Sequence, residues 1–170
     1  IGSFFLDGFA TAAEQLCGRH VTFAPVRGNH QIGEAADSKK NGAKILAVTV
    51  LTSLDQRDMD DLGFKTDINS LVLSRARRAL EIGCDGVISS GQEAPALREK
   101  LGSRFLIVCP GIRPGFNREE DDQKRTVDVE EAFANGADYI VVGRQIHTSG
   151  NPRVMAESIQ QRIAKFFAET

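Results

Sequence analysis

Apolar residues in this chain fall into short unbroken runs separated by longer amphipathic stretches. Ile45-Leu46-Ala47-Val48-Thr49-Val50-Leu51 is rich in β-branched residues, too short for a typical helix and bounded by polar positions, which predicts a buried strand. Asp85-Gly86-Val87-Ile88-Ser89, the run 105–109 and the run 139–142 read the same way, and Val21-Thr22-Phe23 reads so more weakly. Between the runs the pattern turns helical. Ile68, Leu71, Val72, Arg75, Ala79 and Leu80 keep a stripe at helical spacing, with Asn69 as its expected cap and Gly83 as its stop. Asp128, Glu130 and Glu131 put negative charge at the start of a second helix, which Asn135-Gly136 closes. Asn151-Pro152 opens a third, whose Met155, Ile159, Ile163 and Phe166 share one face.

Strand and helix alternate, which implies parallel pairing through crossover helices. The expected fold is α/β, a TIM-type (β/α)8 barrel. A complete barrel of eight units typically needs about 250 residues. This chain has 170 and shows about five βα units, so the barrel is incomplete, with the shortage before Lys44. No linker or low-complexity tract divides it, and residues 1–170 read as a single barrel domain whose N-terminal units are missing or truncated.

Composition narrows the function classes. A 41% hydrophobic content suffices for a real core, and a net charge of −2 with acids and bases interspersed lacks the basic stripe of a nucleic-acid surface. Cys17, Cys84 and Cys109 are odd in number and widely spaced, which speaks against a disulfide framework and for a reducing, cytoplasmic setting. No apolar stretch approaches the roughly 20 residues of a membrane span. Asp7 interrupts the apolar opening, and no basic leader precedes it, so no signal peptide is expected. His20, His30 and His147 show no metal-ligand spacing with each other or with a cysteine, and no metal is expected. Neither a Gly-x-x-x-x-Gly-Lys-Ser/Thr loop nor a Gly-x-Ser-x-Gly elbow occurs.

Two of the strand-like runs end in residues suited to a phosphate. The run 105–109 leads into Pro110-Gly111-Ile112-Arg113-Pro114, and the run 139–142 into Gly143-Arg144. In βα barrels the loops after the last two strands commonly build a phosphate site. Gly143 lacks a Cβ, which lets backbone N–H groups approach an anion, and the guanidinium of Arg144 can bind phosphate oxygens in a bidentate way. A lone arginine is by default a surface residue beside a carboxylate. Arg113 and Arg144 at adjacent strand ends reverse that default and read as a clamp. Between Arg113 and Asp128 runs a long polar stretch whose position favours a lid over a plain surface excursion. Thr49, Thr52 and Ser53 place hydroxyls where a ring or sugar could be oriented, although strand-end hydroxyls are more often turn-formers, and Thr52 or Ser53 would suit as cap of a short helix near Asp55.

Five strings in order resemble the bacterial orotidine 5′-phosphate decarboxylase family: Leu46-Ala47-Val48-Thr49-Val50-Leu51-Thr52-Ser53, Asp85-Gly86-Val87, Pro110-Gly111-Ile112-Arg113-Pro114, Asp122-Gln123-Lys124-Arg125, and Gly136-Ala137-Asp138-Tyr139-Ile140-Val141-Val142-Gly143-Arg144. The match covers about Lys44 to the C-terminus. The resemblance implies decarboxylation of orotidine 5′-phosphate to uridine 5′-phosphate in pyrimidine biosynthesis, without metal or organic cofactor, by a homodimer with its site at the subunit boundary. It implies that Thr52 contacts the nucleotide. Arg113, Gln123, Gly143 and Arg144 would serve its phosphate end, with the Gln123 loop closing over it.

The family's Asp-x-Lys-x-x-Asp string, whose lysine protonates the carbon left by the carboxylate, is not found here. Ile1-Gly2-Ser3-Phe4-Phe5-Leu6 resembles the second strand, and Val21-Thr22-Phe23 the start of the third, after which that string should come. Ala24-Pro25-Val26-Arg27-Gly28-Asn29 stands there instead and looks closer to the segment after the fourth strand. Asp37-Ser38-Lys39 keeps part of the spacing in a polar helix-end context and is rejected as catalytic. The catalytic residues are therefore unassigned. Two other readings remain: a catalytically silent homologue that binds nucleotide monophosphates, and another sugar-phosphate decarboxylase or aldolase of the barrel class.

Overall fold

Among the described residues five parallel strands lie side by side in the order of the chain: β1 (Val21–Ala24), β2 (Lys44–Val48), β3 (Gly86–Ile88), β4 (Leu106–Cys109) and β5 (Tyr139–Ile140). The computed structural model describes residues 21–24, in backbone only, 44–113 and 123–169. The readings on Cys17, His20, His30, Asp37-Ser38-Lys39 and most of the lid fall outside these residues. Register runs Val21↔Lys44, Leu46↔Gly86, Gly86↔Leu106 and Val108↔Tyr139, with every neighbouring pair parallel. Sequential parallel order is what successive staves of a βα barrel require.

Among the described residues six helices follow the strands from β2 onward: α1 (Gln56–Asp61), α2 (Ile68–Glu81), α3 (Ala94–Leu101), α4 (Val129–Ala134), α5 (Arg144–His147) and α6 (Pro152–Glu169). Side chains alternate across the strands. Ile45, Ala47, Val87, Ile107, Cys109 and Ile140 pack in the main core with Val72, Ala76 and Ala79 of α2, Leu97 of α3, Ala132 of α4 and Ile159 of α6. Leu46, Ile88 and Val108 form a second cluster with Val48, Leu106 and Val141. Burial on both faces is why these strands read as continuous apolar runs. Among the described residues, no helix is long and apolar enough to cross a membrane.

Several boundaries differ from the sequence reading, each for a local reason. The first long run stops being strand at Val48 because the carbonyls of Val50 and Leu51 turn to the Arg125 guanidinium instead of a neighbouring strand. β5 ends at Ile140: Val141 still donates to Cys109 O at 2.9 Å, but β4 itself ends at Cys109 and the chain turns at Gly111, whose φ is +73°. The cap of α2 is Asp67, whose carboxylate accepts from Ser70 N–H at 2.8 Å, and Asn69 lies inside the first turn. Asp55, not Thr52 or Ser53, caps α1, in a reciprocal capping box with Asp58. Asp128 caps α4 and Asn135-Gly136 closes it, as the charge pattern predicts. Helices α3 and α5 lie outside the three periodic segments, being eight and four residues long, too short to show a stripe.

The amino ends of the staves share one device. Asp85 accepts from Ile45 N–H at 2.8 Å and Asp138 from Ile107 N–H at 2.7 Å, so each aspartate pins the start of the preceding strand. Arg98 of α3 ties the same end by donating to Gly136 O, Phe105 O and Asp138. At Gly86 the backbones come so close that a Cβ would stand 2.2 Å from Leu106 O. Gly86→Ala is therefore expected to force β3 and β4 apart at a cost of about 2–3 kcal/mol, seen as a lowered unfolding midpoint in urea. An unchanged midpoint would contradict that packing.

Candidate functional site

The polar side chains of interest gather after the carboxyl ends of the strands. Beyond β2 the chain bends rather than extends. Thr49 is buried, its hydroxyl donating to Ile88 O at 3.0 Å, so it braces β3 rather than facing a ligand. Thr52 is also buried, and its hydroxyl donates to Oε1 of Gln123. Its carbonyl accepts from the backbone N–H groups of both Lys124 and Arg125, each at 3.1 Å. Gly111, with φ at +73°, completes this corner: a Cβ there would lie 3.7 Å from both Gln123 Oε1 and Thr52 Cβ, and 3.2 Å from Arg125 O. Positive φ and this crowding together explain a glycine at the position.

Arg113 comes directly after the isolated bridge Ile112↔Val127, its N–H donating to Val127 O at 2.9 Å. Its side chain is buried, and Nη1 donates to Ile112 O at 2.9 Å. Gly143 caps α5 and Arg144 is its first residue; Arg144 is exposed, and nothing lies within 4 Å of where a Gly143 Cβ would sit. Because β4 and β5 are neighbours, Arg113 and Arg144 lie beyond the same ends of adjacent strands. The structure thus joins Thr52 and Gln123 directly beside Gly111. It places the two arginines one strand apart.

Two buried charges here escaped the sequence reading. Arg125 and Glu93 are 6% and 3% exposed and pair through Nη1 and Oε1 at 2.6 Å. Nothing in one sequence distinguishes a buried arginine in a polar stretch from its exposed neighbours. Lys124 points outward instead, its Nζ 2.7 Å from Asp58 and 3.1 Å from Asp55, tying the segment after residue 122 to α1. The Asp58 backbone N–H, then the Lys124 ammonium, hold the Asp55 carboxyl down at about 2, while Asp58 and Asp55 hold Lys124 above its usual value. The stabilisation from Asp55 is present above its ordinary value near 3.8 and is lost as pH falls through about 2. Asp55→Asn is expected to flatten the pH dependence of stability between those values, measured by urea unfolding at stepped pH. An unchanged slope would remove Asp55 from this role. Burial pushes the Cys109 thiol up to about 12, which leaves it unreactive.

Consecutive parallel staves with outer helices, and a polar cluster at their carboxyl ends, define a βα-barrel protein of the class that works from that face. Residues 9–159 match the family described as orotidine 5′-phosphate decarboxylase / HUMPS. The chain is 57% identical over 157 residues to an orotidine 5′-phosphate decarboxylase of Methylococcus capsulatus, covering 92% of this chain and 65% of that protein. It is 45% identical over 169 residues to one from Stenotrophomonas maltophilia, covering 96% and 70%. The crystal structure of orotidine 5′-phosphate decarboxylase from Lactobacillus acidophilus superposes with a TM-score of 0.68 at 31% identity, over 93% of this chain and 69% of that one. A Sulfolobus solfataricus structure, at 19% identity and TM-score 0.59 over 94% of this chain and 68% of that one, shares the fold. This chain belongs to the orotidine 5′-phosphate decarboxylase / HUMPS family. It spans 65% of the length of its Methylococcus relative.

Proposed function

We propose that this chain carries the nucleotide-gripping half of an orotidine 5′-phosphate decarboxylase, a carboxy-lyase that forms uridine 5′-monophosphate in de novo pyrimidine biosynthesis. The observation that carries the reading is the Thr52–Gln123 hydrogen bond beside Gly111, which joins the loop after β2 to the end of the lid segment at the face where barrel enzymes bind ligands. Thr52 then orients the nucleotide. Arg113 and Arg144 supply charge-assisted hydrogen bonds to the phosphate, Gly143 lets the backbone approach it, and Gln123 closes over it. Binding energy from the phosphate, far from the reacting carbon, goes into reaching the transition state.

The order of the staves bears on the unassigned proton donor. If the phosphate loops come after the seventh and eighth staves, β4 and β5 are those two, and β1 is the fourth. Val21–Ala24 is then not the third strand it resembles in sequence. The resemblance puts the catalytic lysine string on the third strand, which is none of the described staves. The reaction needs no cofactor in this reading, the setting is the cytoplasm, residues 1–170 lie within a single barrel domain, and the protein pairs with a second copy.

The test is ligand preference. Uridine 5′-monophosphate at saturating concentration should raise the thermal unfolding midpoint, as any ligand selective for the native state does. Protection by a ketose phosphate in its place would favour a sugar-phosphate decarboxylase or aldolase. Nucleotide binding with no release of CO2 from orotidine 5′-phosphate would favour the catalytically silent homologue.

A further inference from the structure

Arg125 lies next to the proposed lid residue, yet its guanidinium is turned inward. Nε donates to Leu54 O at 2.8 Å, Nη2 to Val50 O at 3.1 Å and Leu51 O at 2.9 Å, and Nη1 to Glu93 at 2.6 Å. Four of the five N–H donors of an arginine are thereby taken by this protein. A group so saturated and buried has little left to offer a phosphate.

Its acceptors show a different role. The carbonyls of residues 50, 51 and 54 converge on the Arg125 side chain, and that of residue 52 on the Lys124 and Arg125 amides. The loop is wound around one cation, with Thr52 at its middle. On the far side, Arg125 O accepts from Ser90 Oγ at 2.9 Å, and Glu93 also takes the Ser89 hydroxyl at 3.3 Å. The loops after β2 and β3 and the end of the lid segment are thus locked to one buried ion pair.

We infer that Arg125, held by Glu93, is a positioning residue that sets the Thr52–Gln123 pair in register for the nucleotide. The inference rests on the nucleotide reading above. Arg125 acts only through its neighbours: with the guanidinium in place, the loop holds Thr52 where its hydroxyl meets Gln123 Oε1 and its carbonyl takes the Lys124 and Arg125 amides. When the loop relaxes, Thr52 and Gln123 lose that register.

The experiment is a double-mutant cycle on the full chain, read as uridine 5′-monophosphate affinity by calorimetry, with circular dichroism to verify folding. Arg125→Lys keeps a cation for Glu93 but cannot reach all four acceptors, and should weaken binding about tenfold. In a Gln123→Ala background the same change should cost about threefold or less, because only its effect through Thr52 remains. A merely structural Arg125 gives equal penalties in both backgrounds, and that result overturns the inference. If Arg125→Lys does not fold, Glu93→Gln, which keeps an acceptor for Nη1, is taken through the same two backgrounds under the same criterion. Folded wild-type protein that does not bind the nucleotide removes the underlying reading and the inference with it. Wild-type binding with equal penalties removes the inference alone.

Discussion

Replacing Arg144 by alanine is expected to weaken uridine 5′-monophosphate binding about hundredfold, through loss of a bidentate, charge-assisted contact. Arg144 begins α5 and is exposed, so the change leaves the core untouched and the unfolding midpoint of the free protein should hold. Uridine, which lacks the phosphate, should bind both proteins alike. Titration calorimetry of wild type and variant with both ligands reads the effect. Equal nucleotide affinities, or a matching loss for uridine, would take Arg144 out of the phosphate site.

The second large effect is on stability. Glu93→Ala leaves the Arg125 guanidinium buried without its carboxylate, a change that costs about 3–5 kcal/mol. For a chain of this size that corresponds to a fall of about 10 °C in the thermal midpoint. Glu93→Gln keeps an acceptor at the same place and should lose much less. Differential scanning calorimetry on the two variants separates the outcomes: a midpoint for Glu93→Ala within a degree or so of wild type would show that the pair is not the lock described.

Much of this architecture was legible because the physics is local. Strands buried on both faces have to be short and continuously apolar, so β2, β3, β4 and β5 stood out, and Asp128 with Glu131 announced the start of α4 through capping chemistry. The ends were less legible, since β2 stops where the carbonyls of Val50 and Leu51 find a side chain 75 and 74 positions away. Asn69 was the wrong cap because Asp67, two residues earlier, takes the Ser70 amide. At the site, Thr52 is a candidate from its place after a strand and Gln123 from family likeness alone, and their contact spans 71 positions, beyond any periodicity. Glu93 and Arg125 were hidden for the same reason: burial of a charge is decided by partners brought together only in the fold.

The central claim is that guanidinium groups from two neighbouring strand ends meet on one phosphate. A crystal structure of the full chain with uridine 5′-monophosphate bound tests it most directly. The account predicts the phosphate within hydrogen-bond distance of both Arg113 and Arg144, with Gln123 over it and Thr52 at the nucleoside. A phosphate held elsewhere, or touching one arginine while the other engages a carboxylate, would contradict it.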